Sequence, residues 1–244
     1  IKPVPGTSYF LHMRARLKQA DGLLPAGYTI ATEQFELPYY IPAPAGKIAG
    51  NPLLVKQQAN GWEIGNDRFT AIIKNGWLQQ FTANGTAYMQ SALTPYFWRA
   101  PTDNDIGNSQ QLRCAVWQHA GDSSRLLWCR VIKQDKDKVE ITAMHYLPLA
   151  DARYGTAYTI FANGDIKVAV QFLPGDSLLP ELPRMGMRMI LPPALDNVSW
   201  LGRGPFDNYQ DRKYSADVDV YSMPADSLFH PYPRAQESGY RSDI

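Results

Sequence analysis

Three stretches of this chain concentrate the side chains that do chemistry. Residues 99–107 (RAPTDNDIG), 201–212 (LGRGPFDNYQDR) and 231–243 (PYPRAQESGYRSD) each combine arginine, carboxylates or amides, and Gly/Pro turns. Asp103, Asp105, Asp207, Asp211 and Glu237 are numerous enough for acid–base hydrolysis of a glycosidic bond. That chemistry needs two carboxyl groups about 5–5.5 Å apart for retention, or about 6.5–9.5 Å for inversion. Their spacing along the chain does not say that any two face one substrate. Asp103 and Asp105 also form a DxD pair, which falls short of the roughly six oxygens a hard cation takes. Asp105 equally suits an Asx turn. His230 and Glu237 could together supply a general acid and base; the alternative is a loop histidine beside Pro231 and Pro233.

Against each chemical role stands a structural one. Arg–carboxylate pairs also staple loops, and Asp, Asn, Gly and Pro are the ordinary turn residues. The expectation is one polar loop cluster of Arg99, Asp103, Asn104, Asp105, Arg203, Asp207, Asn208, Asp211, Arg212, Glu237 and Arg241, in which all but Asp105 form an interconnected network. Its role is either structural or at the rim of a pocket. No metal site is expected. Cys114 and Cys129 lack CxxC spacing, and His12, His119, His145 and His230 never come in pairs at ligand spacing. Free thiols are the simpler reading of the two cysteines, with their pairing left open.

Composition narrows the partners. Lys+Arg 24 against Asp+Glu 23 gives a net charge of +1, which supports neither nucleic acid nor an anionic membrane surface as partner. No apolar run approaches the roughly 18 residues of a membrane span. A hydrophobic content of 45% fills a core and argues against disorder. The length of 244 residues allows one large domain and part of a neighbour. The start at Ile1 is neither an initiator Met nor a signal peptide, so the chain reads as part of a longer protein.

The elements that must carry these loops are almost all β. Tyr9, Leu11, Met13, Ala15 and Leu17 alternate with polar residues, and residues 27–37 read as a returning strand. Two or three strands are too few to close a sandwich, so this segment is expected to be the tail of an upstream domain. Prolines and glycines between Pro38 and Pro52 predict an extended linker. Beyond it, Asn60-Gly61, Asn75-Gly76, Asn84-Gly85 and Asn163-Gly164 signal hairpins. Residues 135–138 (DKDK) join a further pair of strands. One helix is expected from Asn108 or Ser109 to Gly121. Many strands with a single helix predict an all-β antiparallel sandwich. Trp62, Trp77, Trp98, Trp117, Trp128 and Trp200 sit mostly inside strand or helix patterns, which favours core packing over a sugar-stacking platform.

The three polar segments, in this order and spacing, resemble the C-terminal small-chain domain of the large bacterial β-galactosidases of glycoside hydrolase family two. Pro183-Arg184-Met185-Gly186 is similar to a shorter motif ahead of the second segment. The resemblance covers roughly Asn51 to Ile244, and the first forty residues are similar in pattern to the end of the preceding immunoglobulin-like domain. It implies three regions: residues 1–38 as the end of that domain, 39–52 as linker, and 53–244 as a supersandwich truncated at its C-terminus. The fold implied is a large antiparallel supersandwich like that of galactose mutarotase, packed beside a catalytic (β/α)₈ barrel.

The same resemblance implies a parent that hydrolyses terminal β-galactosides with retention. Both catalytic glutamates and the magnesium and sodium ligands of the family sit on the barrel. No catalytic residue and no cofactor is therefore expected on this chain, which is expected to be inactive alone. Its expected partners are the barrel and other domains of its parent, the parent's galactoside substrate, and no nucleic acid or membrane. A homo-oligomeric parent and a cytoplasmic or periplasmic location are both compatible with the resemblance. Two positions depart from the family pattern. Asp207 stands where Glu is usual, so an arginine partner must come closer or be reached through water. Ser238 stands where Asn is usual, and serine takes a positive φ less readily. A carbohydrate-binding module and a mutarotase-type epimerase remain the alternative functions.

Overall fold

A computed structural model describes residues 2–44, 49–175 and 178–243. The expected linker therefore includes residues 45–48, which lie outside the described residues, as do the two termini, Ile1 and Ile244. The chain divides into two compact units, Ile1–Lys47 and Ile48–Ile244.

The first unit is a hairpin. Strands β1 (Tyr9–Arg16) and β2 (Thr29–Leu37) pair antiparallel from Tyr9↔Leu37 to Arg16↔Thr29, with a bulge between Ala15 and Arg16. Period-two patterning places Leu11, Met13 and Phe35 along it, and all three remain about half exposed.

The second unit is an antiparallel sandwich. Strands β3 (Leu54–Gln58), β4 (Gly61–Gly65), β5 (Phe69–Lys74), β6 (Trp77–Ala83) and β7 (Thr86–Ala87) run as a five-stranded meander. Strand β8 (Thr94–Tyr96) leads into three short helices: α1 (Asp103–Gly107), α2 (Gln110–Arg113) and α3 (Val116–Ala120). Strands β9 (Arg125–Gln134), β10 (Lys138–Leu147), β11 (Ala152–Phe161) and β12 (Ile166–Leu173) form a four-stranded meander. Strand β13 (Gly186–Arg188) pairs with β8, and β14 (Asn197–Gly204) pairs with β15 (Asp217–Pro224).

One core lies between the two meanders, where Ile64, Phe69, Ala71, Ile73 and Leu78 meet Val139, Ile141, Tyr158 and Ile160. Strand β10 shows why: every second residue from Val139 to Leu147 is buried, as a half-buried strand requires. A second core, with Trp77, Phe97, Cys114, Trp117, Leu147 and Tyr154, seats the helices. Trp77, Trp117 and Trp200 are buried and Trp62 packs on the first core, while Trp128 is 37% exposed. Cys114 and Cys129 are free thiols, the first buried.

Two expectations need correction. The single helix from residue 109 to 121 is instead broken. Ser109 takes a left-handed φ of 60°, its side chain makes no capping bond, and helix α1 precedes it. The Asn60-Gly61 turn is centred one residue earlier, because Gln58 pairs with Gly61 and leaves Ala59-Asn60 as the loop. Gly61 belongs to β4, where a Cβ would sit 1.8 Å from the carbonyl oxygen of Ile73. Asn163-Gly164 does join β11 and β12 as a hairpin, through a wider connection with positive φ at Gly164 but not Asn163. Asn75-Gly76 and Asn84-Gly85 do adopt positive φ at both residues, as a type I′ turn needs. Among the described residues no helix is long and apolar enough to cross a membrane.

Candidate functional site: a polar loop cluster

Loop 99–107 folds around one carboxylate. Thr102 caps helix α1: its hydroxyl accepts from Asp105 N–H, while Asp105 Oδ2 accepts from Thr102 N–H at 2.8 Å. The same carboxylate takes both terminal nitrogens of Arg99, at 2.5 and 3.0 Å, a bidentate pair. Burial works against the charge on Asp105. The bonds from Arg99 and Thr102 outweigh it and hold the carboxyl below the usual carboxylate value. Both Asp105 oxygens are engaged, and the residue completes a capping box with Thr102 rather than acting in concert with Asp103, whose carboxylate accepts from Asn104 N–H. Among the described residues, no group of three or more His, Cys, Asp and Glu is placed to hold a metal ion.

The second and third segments are zipped together by their backbones. Arg203 N–H donates to Ser242 O, and Asn208 N–H donates to Tyr240 O. Asn208 is fully buried, and its Oδ1 accepts from both the N–H and the hydroxyl of Ser242. Asp207, 5% exposed, accepts from Tyr232 Oη at 2.6 Å and from Arg212 Nη2 at 3.0 Å. Arg212 also donates to Tyr232 Oη and lies over the rings of Tyr209 and Tyr232. The shorter Asp207 thus reaches its arginine directly.

Arg203 donates to Asp243 and to the carbonyls of Lys213 and Ala216. Arg241 donates to Pro205 O, stacks over Trp200, and leaves its buried Nε without a partner among the described residues. Glu237 pairs with Arg184. Ser238 is not at positive φ. Gly239 takes that conformation at 88°, and the Ser238 hydroxyl accepts from His230 N–H.

The first segment joins the others mainly through Asp103, whose N–H donates to Ala235 O at 2.7 Å and whose carboxylate lies 4.0 Å from Arg234. Arg99, Asp103, Asn104, Tyr209, Gln236 and Glu237 line a polar cleft of about 360 Å³ where these loops meet. Tyr209 Oη donates to Glu237 O, and its ring stacks on Tyr240 at 4.9 Å. The cluster is therefore a set of separate stations joined by main chain, not one side-chain network. Among the described residues, Asp211 is exposed and bonds to none of the others, and Asn104 meets the cluster through its backbone N–H, which donates to Asp103, and by lining the cleft. Thr102, Arg184, Tyr209, Tyr232 and Ser242 escaped the sequence reading as site residues. Only Thr102 carried a local signal there, the capping pattern Thr-x-x-Asp.

Comparison with known proteins follows the same residues. The family described as beta-galactosidase small chain matches residues 65–244. The chain is 32% identical over 238 residues to a β-galactosidase of Priestia megaterium, covering 97% of this chain and 23% of that protein. It is 30% identical over 260 residues to a β-galactosidase of Vibrio cholerae, covering 98% of this chain and 25% of that protein. An Aeromonas hydrophila β-galactosidase is 28% identical over 256 residues, which are 98% of this chain and 24% of that protein. The chain thus spans about a quarter of the length of the curated relatives it matches. An antiparallel sandwich carrying all three polar segments, matched over residues 65–244, belongs to the beta-galactosidase small chain family.

Proposed function

We propose that this chain is a non-catalytic region of a β-galactosidase, an enzyme that hydrolyses terminal β-D-galactosides. Its polar loop cluster supports the catalytic barrel and the rim of the sugar pocket. One observation carries the reading: the two buried carboxylates of the cluster, Asp105 and Asp207, and the half-buried Glu237 are already engaged by arginine. Asp105 is held by Arg99, Asp207 by Arg212 and Glu237 by Arg184, while the exposed Asp243 pairs with Arg203. A carboxylate in such a pair is a poor nucleophile and a poor base, which suits stapled loops better than acid–base work. The same pairing of Glu237 argues against its use as the base of an epimerase. The cleft edged by Asp103, Asn104 and Gln236 leaves polar groups facing outward, suited to a polar neighbour or a sugar hydroxyl.

The test uses o-nitrophenyl β-D-galactoside. The chain by itself is expected to give no turnover, and the full-length polypeptide that carries this sequence is expected to hydrolyse it. Turnover by the 244-residue chain that survives purification and disappears on unfolding would overturn the non-catalytic reading.

A further inference from the structure

The four-stranded sheet ends on two unlike edges. Along β9 the register with β10 slips between Glu140 and Ile141 and again between Met144 and His145. Ile132 and Leu127 are the extra residues, 56% and 51% exposed. Bulges of this kind break the ladder and turn an edge away from further pairing. Arg125, Arg130 and Lys133 add charge along the same strand.

Strand β12 has none of these protections. It pairs with β11 without a slip from Arg153↔Leu173 to Ile160↔Ile166. It carries a single charged residue, Lys167, and no proline, and no described strand pairs with its other side. In the facing sheet the outer strands are β3, five residues long and close behind Pro52, and β7, two residues long. Of the four outer strands of these two sheets, β12 is the one that is long, regular and nearly uncharged.

The space beside that edge is apolar. A groove of about 460 Å³ lies between β12 and β6, lined by Leu78, Phe81, Met89, Ile166, Val168 and Leu195 among others. Ile166 and Val168 are the β12 residues that pack on the first core. A strand laid along β12 would place alternate side chains over this groove, as strand alternation demands. Main-chain bonds would then supply affinity, and the groove would select apolar residues at every second position.

We propose that β12 is the docking edge for one further β-strand, supplied by another part of the parent polypeptide, whose inward apolar residues close the groove. The occupant rests on the reading of this chain as one region of a β-galactosidase. The chain spans about a quarter of its relatives' length, so a parent of that size has ample polypeptide to provide the strand.

Hydrogen–deuterium exchange on the full-length polypeptide carrying this sequence tests the proposal. An unpaired edge strand turns alternate amides to solvent, so roughly half of them exchange fast. Segment 166–173 is expected to lack that fast phase and to match β10 and β11 at every protein concentration. Segment 125–134, the bulged edge, is expected to keep its own. A fast phase in roughly half of the 166–173 amides would overturn the proposal. Protection that disappears on dilution would assign the edge to a second copy and overturn the stated occupant. Galactoside hydrolysis by the same sample is read separately. Hydrolysis with an unprotected β12 sinks the docking strand alone, while protection without hydrolysis supports the strand and sinks the assigned parent activity.

Discussion

Trp77 lies flat on His145, with ring centroids 3.7 Å apart and planes 12° apart. The first residue of β6 is thereby bound to the middle of the opposing sheet. The imidazole Nε2 meets Asn75 O at 2.9 Å, so it carries the proton and donates. Nδ1 is then a bare acceptor, buried and without a partner among the described residues. The neighbouring Tyr154 adds no charge, because burial pushes its phenol up to about 12.

Acid should loosen this contact. Burial lowers the His145 pKa below the ordinary imidazole value of about 6.5, and the bond to Asn75 only partly opposes it. The unfolded chain therefore binds this proton more readily than the folded one. Stability is fully present above about pH 6.5 and declines from there toward the folded pKa. Melting temperatures measured from pH 7.5 to 5.5 should fall more steeply for the native sequence than for His145→Phe, which keeps the stack and cannot be protonated. Equal slopes would remove His145 as the titrating group.

Gly76 should tolerate no side chain. Its φ is 78°, and an added Cβ would lie 2.6 Å from His145 Cε1 and 2.8 Å from Ala143 Cβ. Gly85 has the same φ in the same kind of turn, with nothing within 4 Å. Gly85→Ala should cost only the left-handed backbone, about 1–2 kcal/mol. Gly76→Ala should cost about 1–3 kcal/mol more, for overpacking. Urea midpoints of the two variants give the comparison, and equal losses would mean that the core yields freely around residue 76.

What the sequence made legible follows from how local each cause is. Asn75-Gly76 and Asn84-Gly85 announce their turns because positive φ at two adjacent residues is a local demand. The alternation from Val139 to Leu147 announces a half-buried strand for the same reason. The break at Ser109 was not legible, because residues 108–121 carry no proline and their packing against Phe97 and Tyr154 is long-range. The polar segments were visible as segments, but their partners were not. Asp207 finds Tyr232 twenty-five residues away, and Glu237 finds Arg184 on an earlier loop. Only folding decides which carboxylate meets which arginine: the resemblance marks Asp207 as a position with an arginine partner, but residue type and spacing alone do not separate it from Asp211.

Both thiols should be silent in the folded chain. Burial pushes Cys129 up to about 11 and raises Cys114 as well. The thiolate is the reactive form, so Ellman's reagent at pH 8 should report almost no fast-reacting thiol. After denaturation it should report both. A fast-reacting equivalent before denaturation, assigned by peptide mapping, would identify an opening of β9 or of the helical segment.

The Asp207 station should carry more stability than its neighbours. Its carboxylate is 5% exposed and takes bonds from Tyr232 and Arg212, whereas Asp211 is exposed and has no side-chain bond among the described residues. Tyr232→Phe removes one donor to a buried anion and should cost about 1–3 kcal/mol. Arg212→Ala removes the other donor and the countercharge, and its effect should be at least as large. The two changes act on one carboxylate, so the double variant should lose less than the sum of the single losses. Asp211→Ala should stay within about 0.5 kcal/mol of the native sequence. Denaturant unfolding of the four variants measures all of these terms at once. Strict additivity of Tyr232→Phe and Arg212→Ala would mean that the two donors hold Asp207 independently, and a loss at Asp211 equal to theirs would mean that burial of the anion is not what sets the cost.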